Sequence, residues 1–597
     1  MRSLDDNRPG HLSTSTKEAS VYLLASIAIN ASIYFLYRST GLSAEYPALG
    51  SIVPWIVAIN FSSISLIVSF SRFAKWNRHL RRTATLDLLT SLIPIALIWG
   101  VRLARWGEAT NQLIGLIYVL YISAKGFVLV WHASTNVTER NSSAANAWVF
   151  TVSFVIYAAV TPWIALSAWP DGDEPHYLLL THSLVADRDF DLSNNYNQGD
   201  YKLFYPPELT PHHALINSHG QEFPIHDVGL SILLVPGYAV GERLGAMLEM
   251  NLVSAFLALG LYVLAVSIGA PERSALVTWA LFAFTSPLII LSSLVYPEVV
   301  GGACSIWAII AFTEFVKSRR RMHLALAGLA LSLLPWLSVR YWVIVAPMLS
   351  VIALYIVVQE WRSDLIGKLK SVLVLGLPTA LSLIVFVLFD VHYYNTALPN
   401  AGYFLRVAAM QEPLFTTDIH VGLLGLFLDR AYGLLSTAPI YIMSIAGALV
   451  MLRRQPWVGA TMVFVSGAYI LFSGMSRFWY GGWSPPARLI CVGAVLLAPL
   501  ASLVISNRRV VLISGALGLF SVLLGVAYTA FPLTRYTVGF TGALSEFIGK
   551  HLGFDYGVAF PSMMRGETVD YQLAALWAGL SMIYVWFLVK PGRKLAS

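Results

Sequence analysis

Long apolar runs recur along the whole chain, and their length decides what it can fold into. Roughly sixteen stretches of about 16–23 residues could each cross a hydrocarbon core of about 30 Å as a helix. A segment in hydrocarbon must satisfy its own backbone N–H and C=O groups, so these runs fold as helices. Hydrophobic residues make up 57% of the 597 and charged residues 12%, a balance foreign to soluble domains. The expected fold is therefore all-α, a polytopic transmembrane bundle of about sixteen spans. The formal net charge of +7 comes from short Lys/Arg clusters between apolar runs. That pattern reports topology and argues against a nucleic-acid partner. Both cysteines, Cys304 and Cys491, lie in apolar runs, which leaves no disulfide framework or cysteine metal site. The polar N-terminus carries no cleavable signal pattern, and the first apolar run is long enough to span.

The basic clusters orient the spans. Arg72, Lys75, Arg78, Arg81 and Arg82 follow the second run; Lys317, Arg319, Arg320 and Arg321 follow a later one. Arg453 with Arg454, Arg508 with Arg509, and Lys590, Arg593 and Lys594 mark three more. Placing all of them in the cytoplasm puts both termini inside and five spans ahead of Asp171, so the acidic stretch beginning there is external. Counting 227–245 as a full crossing would invert every later cluster. It is expected instead to lie in the outer interface, interrupted by Pro236 and Gly237. The organisation expected is 1–145 as additional N-terminal helices, 146–505 as a catalytic core with an external loop over 169–245, and 506–597 as C-terminal helices and an external loop.

Charge is unevenly shared among the external segments. Between 171 and 227 stand seven Asp and three Glu against only Arg188 and Lys202. Arg340, Arg406, Arg430, Arg477 and Arg488 approach from other external ends. Acid on one side and guanidinium on the other suits a site that deprotonates a hydroxyl and holds a phosphate. The six histidines of the loop (176, 182, 212, 213, 219 and 226) match no zinc spacing, and a polar loop accounts for them. The Trp and Tyr of "FWYGGW" fit an interfacial aromatic belt.

Six motifs in order, "GDEPHYLLLTHSL", "YPE", "LPWLSVRYW", "LPNAGY", "GLLGLFLDRAYGLL" and "WYGGWSPPAR", resemble bacterial members of the GT-C glycosyltransferase superfamily. The likeness is to the branch holding protein O-mannosyltransferases and lipid A aminoarabinose transferases, and it spans about 145–505. It implies an all-helical bundle whose first large external loop carries the acidic motif and interfacial helices. It also implies a polyprenyl-phosphate-linked sugar as donor and an acceptor hydroxyl on a lipid, glycan or protein at the outer face of a bacterial plasma membrane. The sequence departs from that pattern in its four additional leading spans, in having no large soluble domain after the last span, and in carrying Ser338 where many relatives have His.

Under this resemblance Asp173, which heads the acidic pair, is the expected general base. Glu174 is expected to assist catalysis, either by holding the acceptor or by raising the basicity of Asp173 through like-charge proximity. Glu298, His176 and Tyr177 are expected at the acceptor, although Glu298 could equally cap the helix beginning near Pro297. Arg488, Arg340, Arg430 and Arg477 are expected at the donor phosphate, because guanidinium grips phosphate oxygens bidentately. Arginines at helix ends also snorkel to lipid headgroups. No cofactor is expected; were a divalent metal bound, Asp173, Glu174 and His176 would be its ligands. Two other classes fit the same composition: a transporter or flippase of lipid-linked sugars, and a non-catalytic membrane scaffold. A transporter would show repeats and charge at the membrane midplane, whereas the charges here lie in loops.

The topology yields a direct test on intact cells. Cysteines introduced at Ser193 and Ser218 are expected to react with an impermeant thiol reagent, and one at Ser363 to stay unlabelled; the opposite labelling pattern would reverse the orientation.

Overall fold

The computed structural model describes residues 14–40, 47–71, 78–104, 109–132, 142–216, 220–359, 364–410, 413–507, 511–537 and 539–590. Expectations resting on Arg72, Lys75, Ser218, His219, Ser363, Arg508, Arg509, Arg593 or Lys594 fall outside them. The described chain is all-α apart from one two-stranded hairpin, and it is an integral multi-pass membrane protein. Among the described residues twelve helices are long and apolar enough to span, against the sixteen or so runs counted in the sequence. Five of the twelve precede Asp171.

Proline accounts for much of the difference. Pro287 separates Glu272–Ala283 from Leu288–Leu291, and Pro335 ends the Arg321–Ser332 helix in a tight turn. Pro439 divides Leu434–Thr437 from Ile442–Arg454, and Pro499 converts Cys491–Leu497 into the tighter turns of Ala498–Leu503. A proline ring removes one helical N–H and crowds the preceding turn, so an unbroken apolar run becomes two short helices.

Two compact units divide the chain, Met1–Trp148 and Val149–Ser597. The first contains Thr14–Thr40, Pro47–Ser71, Arg78–Thr90 running through a turn into Ile93–Ala104, and Ala109–His132. Its interior is partly polar, and here the expectation that charge is confined to loops fails, because Asp87 and Lys125 lie within two candidate spans. The Lys125 ammonium lies 3.0 Å from the Asp87 carboxylate and donates to the Asp87 carbonyl at 2.7 Å and to Ser91 Oγ at 2.6 Å, with both charged side chains buried. Ser63 donates to the same carboxylate at 3.1 Å. Nearby, Asn60 receives the Tyr121 hydroxyl at 2.7 Å and donates to Asn30 at 3.0 Å.

In the second unit the part of the Ser142–Ser167 helix from Val149 onward leads into the 169–245 segment, which is structured throughout its described length. Glu174–Ala186 and Ser193–Gln198 are helical, and His213–Ile216 pairs antiparallel with Glu222–Pro224, Ile216 opposite Glu222. Helix then resumes at Gly229–Leu233 and Val235–Ser267. The expected interruption at Pro236 and Gly237 is displaced. Pro236 stands in the first helical turn, where its missing N–H costs nothing. The break falls at Gly241 and Glu242, the latter at φ +49°, and brings the backbone of Gly245 against the Gly237 carbonyl, where a side chain would not fit. The helix beyond the break is itself long enough to span.

Side chains from later helices hold this segment in place. Phe223, Tyr394 and Ala401 form a small core with Phe190, Phe389 and Tyr393, and the Tyr394 hydroxyl donates to the Pro224 carbonyl at 2.7 Å. Asn400 of "LPNAGY" donates to Asp227 at 2.8 Å and to the Pro335 carbonyl at 3.0 Å, while Trp342 of "LPWLSVRYW" donates to Asn400 at 2.8 Å. Two motifs distant in sequence thus meet on the segment that carries "DGDEPHY".

The buried Asp87–Lys125 pair sets a stability test. Lys125→Leu alone strands a buried carboxylate and is expected to destabilise the protein by about 3–5 kcal/mol, whereas Asp87→Leu with Lys125→Leu should recover most of that loss. Thermal unfolding in detergent reads both; a double variant no better than the single would show that the pair is not the dominant link.

Candidate active site

Asp173 is the N-cap residue of the Glu174–Ala186 helix, with Pro175 fitting the first turn. The turn before it is held by the "WYGGWSPPAR" loop. Trp483 Nε1 donates to the Asp171 carboxylate at 2.7 Å and the Tyr296 hydroxyl to the Asp171 carbonyl at 2.9 Å. Gly172 sits between them at φ +61°, where a Cβ would come within 2.5 Å of the Trp483 carbonyl oxygen and 2.6 Å of the Tyr296 hydroxyl. Only glycine meets both demands.

Four charged side chains converge beside that turn. Arg488 Nη2 donates to Asp173 Oδ2 at 2.5 Å, and its Nε donates to Glu298 Oε1 at 3.0 Å. Arg340 Nη2 donates to the same Glu298 oxygen at 2.9 Å. The Tyr296 ring lies 4.0 Å from the Arg488 guanidinium carbon and covers one of its faces. Arg340 is positioned locally by Ser338, whose hydroxyl accepts from the Arg340 backbone N–H at 3.4 Å. Exposure separates them: Asp173 keeps 29% of its side chain open and Arg340 20%, Arg488 only 6% and Glu298 none. A molecule arriving from outside meets Asp173 and Arg340 before Arg488 and Glu298.

Electrostatics follow from these contacts. Burial would raise the Asp173 carboxyl, but the charge of Arg488, helped by His226, outweighs it and holds the group well below the usual carboxylate range. The upward push expected from Glu174 is not what governs it. Glu174 turns into the protein, accepting from Val295 N–H at 2.5 Å, the Tyr536 hydroxyl at 2.6 Å and Asp171 N–H at 3.4 Å. Burial pushes its carboxyl up against those hydrogen bonds and the charge of Arg243. Glu298 likewise offers no oxygen to the surface, and no helix-capping bond of its side chain is formed.

The remaining expected residues divide into two groups. His176 donates to or accepts from Tyr196 at 3.0 Å and stacks on His212 with ring centres 3.9 Å apart; His226 lies 5.9 Å from His176 and places Nε2 4.0 Å from Asp173 Oδ1. Burial pushes His226 down to about 4, despite the opposing charge of Asp173, so it is neutral near pH 7. Tyr177 is buried with its ring 4.8 Å from that of His226. Arg430 is elsewhere: its Nη2 donates to the Phe560 carbonyl at 3.0 Å and its backbone N–H to Pro561 at 2.8 Å. Its neighbour Asp429 receives Ala431, Tyr432 and Met563 N–H groups, so "LDRAYG" fastens the 560–563 loop. Arg477 pairs its backbone with Leu414 and lies beside the Phe478 ring. Asp173, Glu174 and His176, named as ligands for a metal, are engaged by different partners, Arg488, Val295 and Tyr196, and among the described residues no group of three or more His, Cys, Asp or Glu side chains is arranged to hold one.

Four contributors were not singled out from the sequence. Tyr296 and Trp483 belong to quoted motifs; Trp483 is hidden by the belt-like look of "FWYGGW", and nothing in "YPE" marks the tyrosine as a partner of Asp171. His226 was counted with the loop histidines and is marked only by its place next to Asp227. Tyr536 lies beyond the last motif, with no local signal at all.

The sequence matches no family model and no curated protein. Among solved structures it is similar to the oligosaccharyltransferase of Archaeoglobus fulgidus in the apo form, at 13% identity and a TM-score of 0.39, over 64% of this chain and 55% of that one. The same enzyme in complex with Zn and sulfate gives 13% identity and a TM-score of 0.38, over 64% and 53%. The chain thus spans about half the length of that protein.

Asp227, next to His226, provides a pH test. Burial, reinforced by the charge of Asp390, pushes its carboxyl up to about 7 against the Asn400 hydrogen bond. The folded protein holds this proton more tightly than the unfolded chain. Its contribution to stability is therefore complete below the ordinary carboxylate range and is lost as pH rises through about 7. Asp227→Asn cannot ionise, so its thermal stability relative to the natural protein is expected to improve steadily between about pH 4 and pH 7 and to level off above. Parallel slopes for the two proteins across that range would remove Asp227 as the titrating group.

Proposed function

We propose that the chain is a membrane glycosyltransferase of the GT-C type that moves a sugar from a polyprenyl-phosphate-linked donor to an acceptor hydroxyl. The observation that carries this reading is the contact set of Asp173, Arg488, Glu298 and Arg340: a partly open carboxylate held by a buried guanidinium, which a sealed glutamate links to a second one. The ordered motifs support it, since four of the six supply these residues.

In the proposed reaction the acceptor oxygen bonds to C1 of the sugar while the C1–O bond to phosphate breaks, its electron pair leaving on the phosphate oxygen. Asp173 takes the acceptor proton, and Arg488 with Arg340 stabilises the departing phosphate charge. A phosphate leaving group needs no separate acid. A single displacement inverts the configuration at C1. Glu298 positions both guanidinium groups, and Glu174 fixes the turn through Val295 and Tyr536. His176 and Tyr177, buried on the helix that Asp173 caps, support the acceptor side from within, while Arg430 and Arg477 are left with supporting roles. With both termini cytoplasmic, the site opens at the outer face of a bacterial plasma membrane, where lipid, glycan or protein hydroxyls are within reach. The donor's isoprenoid chain and the surrounding membrane lipids are the other partners.

The test is transfer of radiolabelled sugar from a polyprenyl-phosphate donor by purified protein. Asp173→Asn is expected to lower turnover by roughly 100-fold or more, the usual scale for loss of a general base. Arg488→Ala should impair transfer, and Arg488→Lys should restore it only in part, because an ammonium cannot span Asp173 and Glu298 as the planar fork does. Normal turnover by Asp173→Asn would withdraw the base assignment.

A further inference from the structure

The same guanidinium that would hold the donor phosphate already holds the proposed base. Arg488 splits the Nε and Nη2 edge of its fork between two carboxylates, Glu298 at 3.0 Å and Asp173 at 2.5 Å. The two are not equivalent. Glu298 is sealed, shared with Arg340 at 2.9 Å, and fixed on the first turn of the Pro297–Ser318 helix. Asp173 is partly open and has a single guanidinium contact. Of the two, it is the one an incoming anion can displace.

We infer that the donor phosphate takes the place of Asp173 on Arg488, so that this carboxylate is released to act as a base only once donor is bound. The inference rests on the glycosyl-transfer reading above. Charge counting over the four side chains supports it. Two carboxylates balance two guanidinium groups, so a bound phosphate leaves the cluster in negative excess. Moving the acceptor's proton onto Asp173 reduces that excess. While paired with Arg488, by contrast, Asp173 is a weak base and occupies the Nη2 position on the guanidinium that the phosphate would take. His226, neutral near pH 7, adds no charge to the balance. The arrangement links the two substrates: without donor the carboxylate is occupied, and no acceptor, water included, meets a freed base.

Competition for one cation predicts that removing the base tightens phosphate binding. Equilibrium binding of farnesyl phosphate to the full chain in detergent would be measured for the natural protein, Asp173→Asn, Arg488→Gln and the double variant. Asp173→Asn is expected to bind roughly fivefold tighter or more, a coupling of ordinary size between two sites, and the gain should vanish when Arg488 is Gln. Asp171→Asn, which removes a neighbouring negative charge that Arg488 does not hold, should leave affinity near that of the natural protein; it provides the same discrimination if the Arg488 variant does not fold. A natural protein that binds while Asp173→Asn binds no tighter would overturn the exchange and leave the transferase reading standing. Equal gains for Asp171→Asn, or a gain that persists without Arg488, would reduce the effect to general repulsion and also overturn it. If neither the natural protein nor Asp173→Asn binds the phosphate, the donor reading falls with it.

Discussion

A guanidinium removed from water must be neutralised where it sits, and around Arg488 this requirement organises the second unit. Its partners come from three distant parts of the chain: the loop before the Glu174–Ala186 helix, the start of Pro297–Ser318, and, through Glu298, the turn that carries Arg340. Losing any one partner leaves a charge uncompensated in a poorly hydrated place, which is far more costly than losing a surface ion pair. The Tyr296 ring closes one face of the guanidinium, and the Tyr296 hydroxyl also holds the Asp171 carbonyl. Electrostatic need and loop shape are therefore satisfied by the same few residues.

Adjacent acids acquire opposite characters here because a helix begins between them. Asp173 occupies the cap position and faces the opening, whereas Glu174 is the first helical residue and points into the protein. One carboxyl is held down by a neighbouring cation and the other is pushed up by burial. Divergent environments of neighbouring carboxyls are the usual way for one site to obtain two functions from one residue type. Under the proposed function the division is between reacting and positioning.

Much of the architecture is legible in the sequence because membrane helices leave a one-dimensional trace. Apolar length identifies the spans, and the motifs containing Asp173, Glu298, Arg340 and Arg488 do converge in space. What apolar length cannot reveal is where proline divides a run, and the count falls from about sixteen to twelve at such places among the described residues. Side-chain direction is equally hidden. Nothing local distinguishes Asp173 from Glu174, and nothing in "LDRAYG" announces that Arg430 will grip the Phe560 carbonyl. Tyr536 reaches Glu174 across 362 positions of sequence, a pairing that exists only after folding.

The buried Asp87–Lys125 pair has a consequence for how the chain is made. Asp87 and Lys125 belong to successive apolar segments, 81–100 and 110–132, so each segment alone would carry an unbalanced charge out of water. A lone Asp or Lys at the centre of an inserted helix costs about 2.5–3.5 kcal/mol. Joined as an ion pair, with Ser63 and Ser91 as further partners, the two become acceptable to lipid. The order of synthesis places Asp87 in the insertion machinery before its counter-ion has been translated. Pairing therefore offsets the cost of the earlier segment only after the later one has followed it into the membrane.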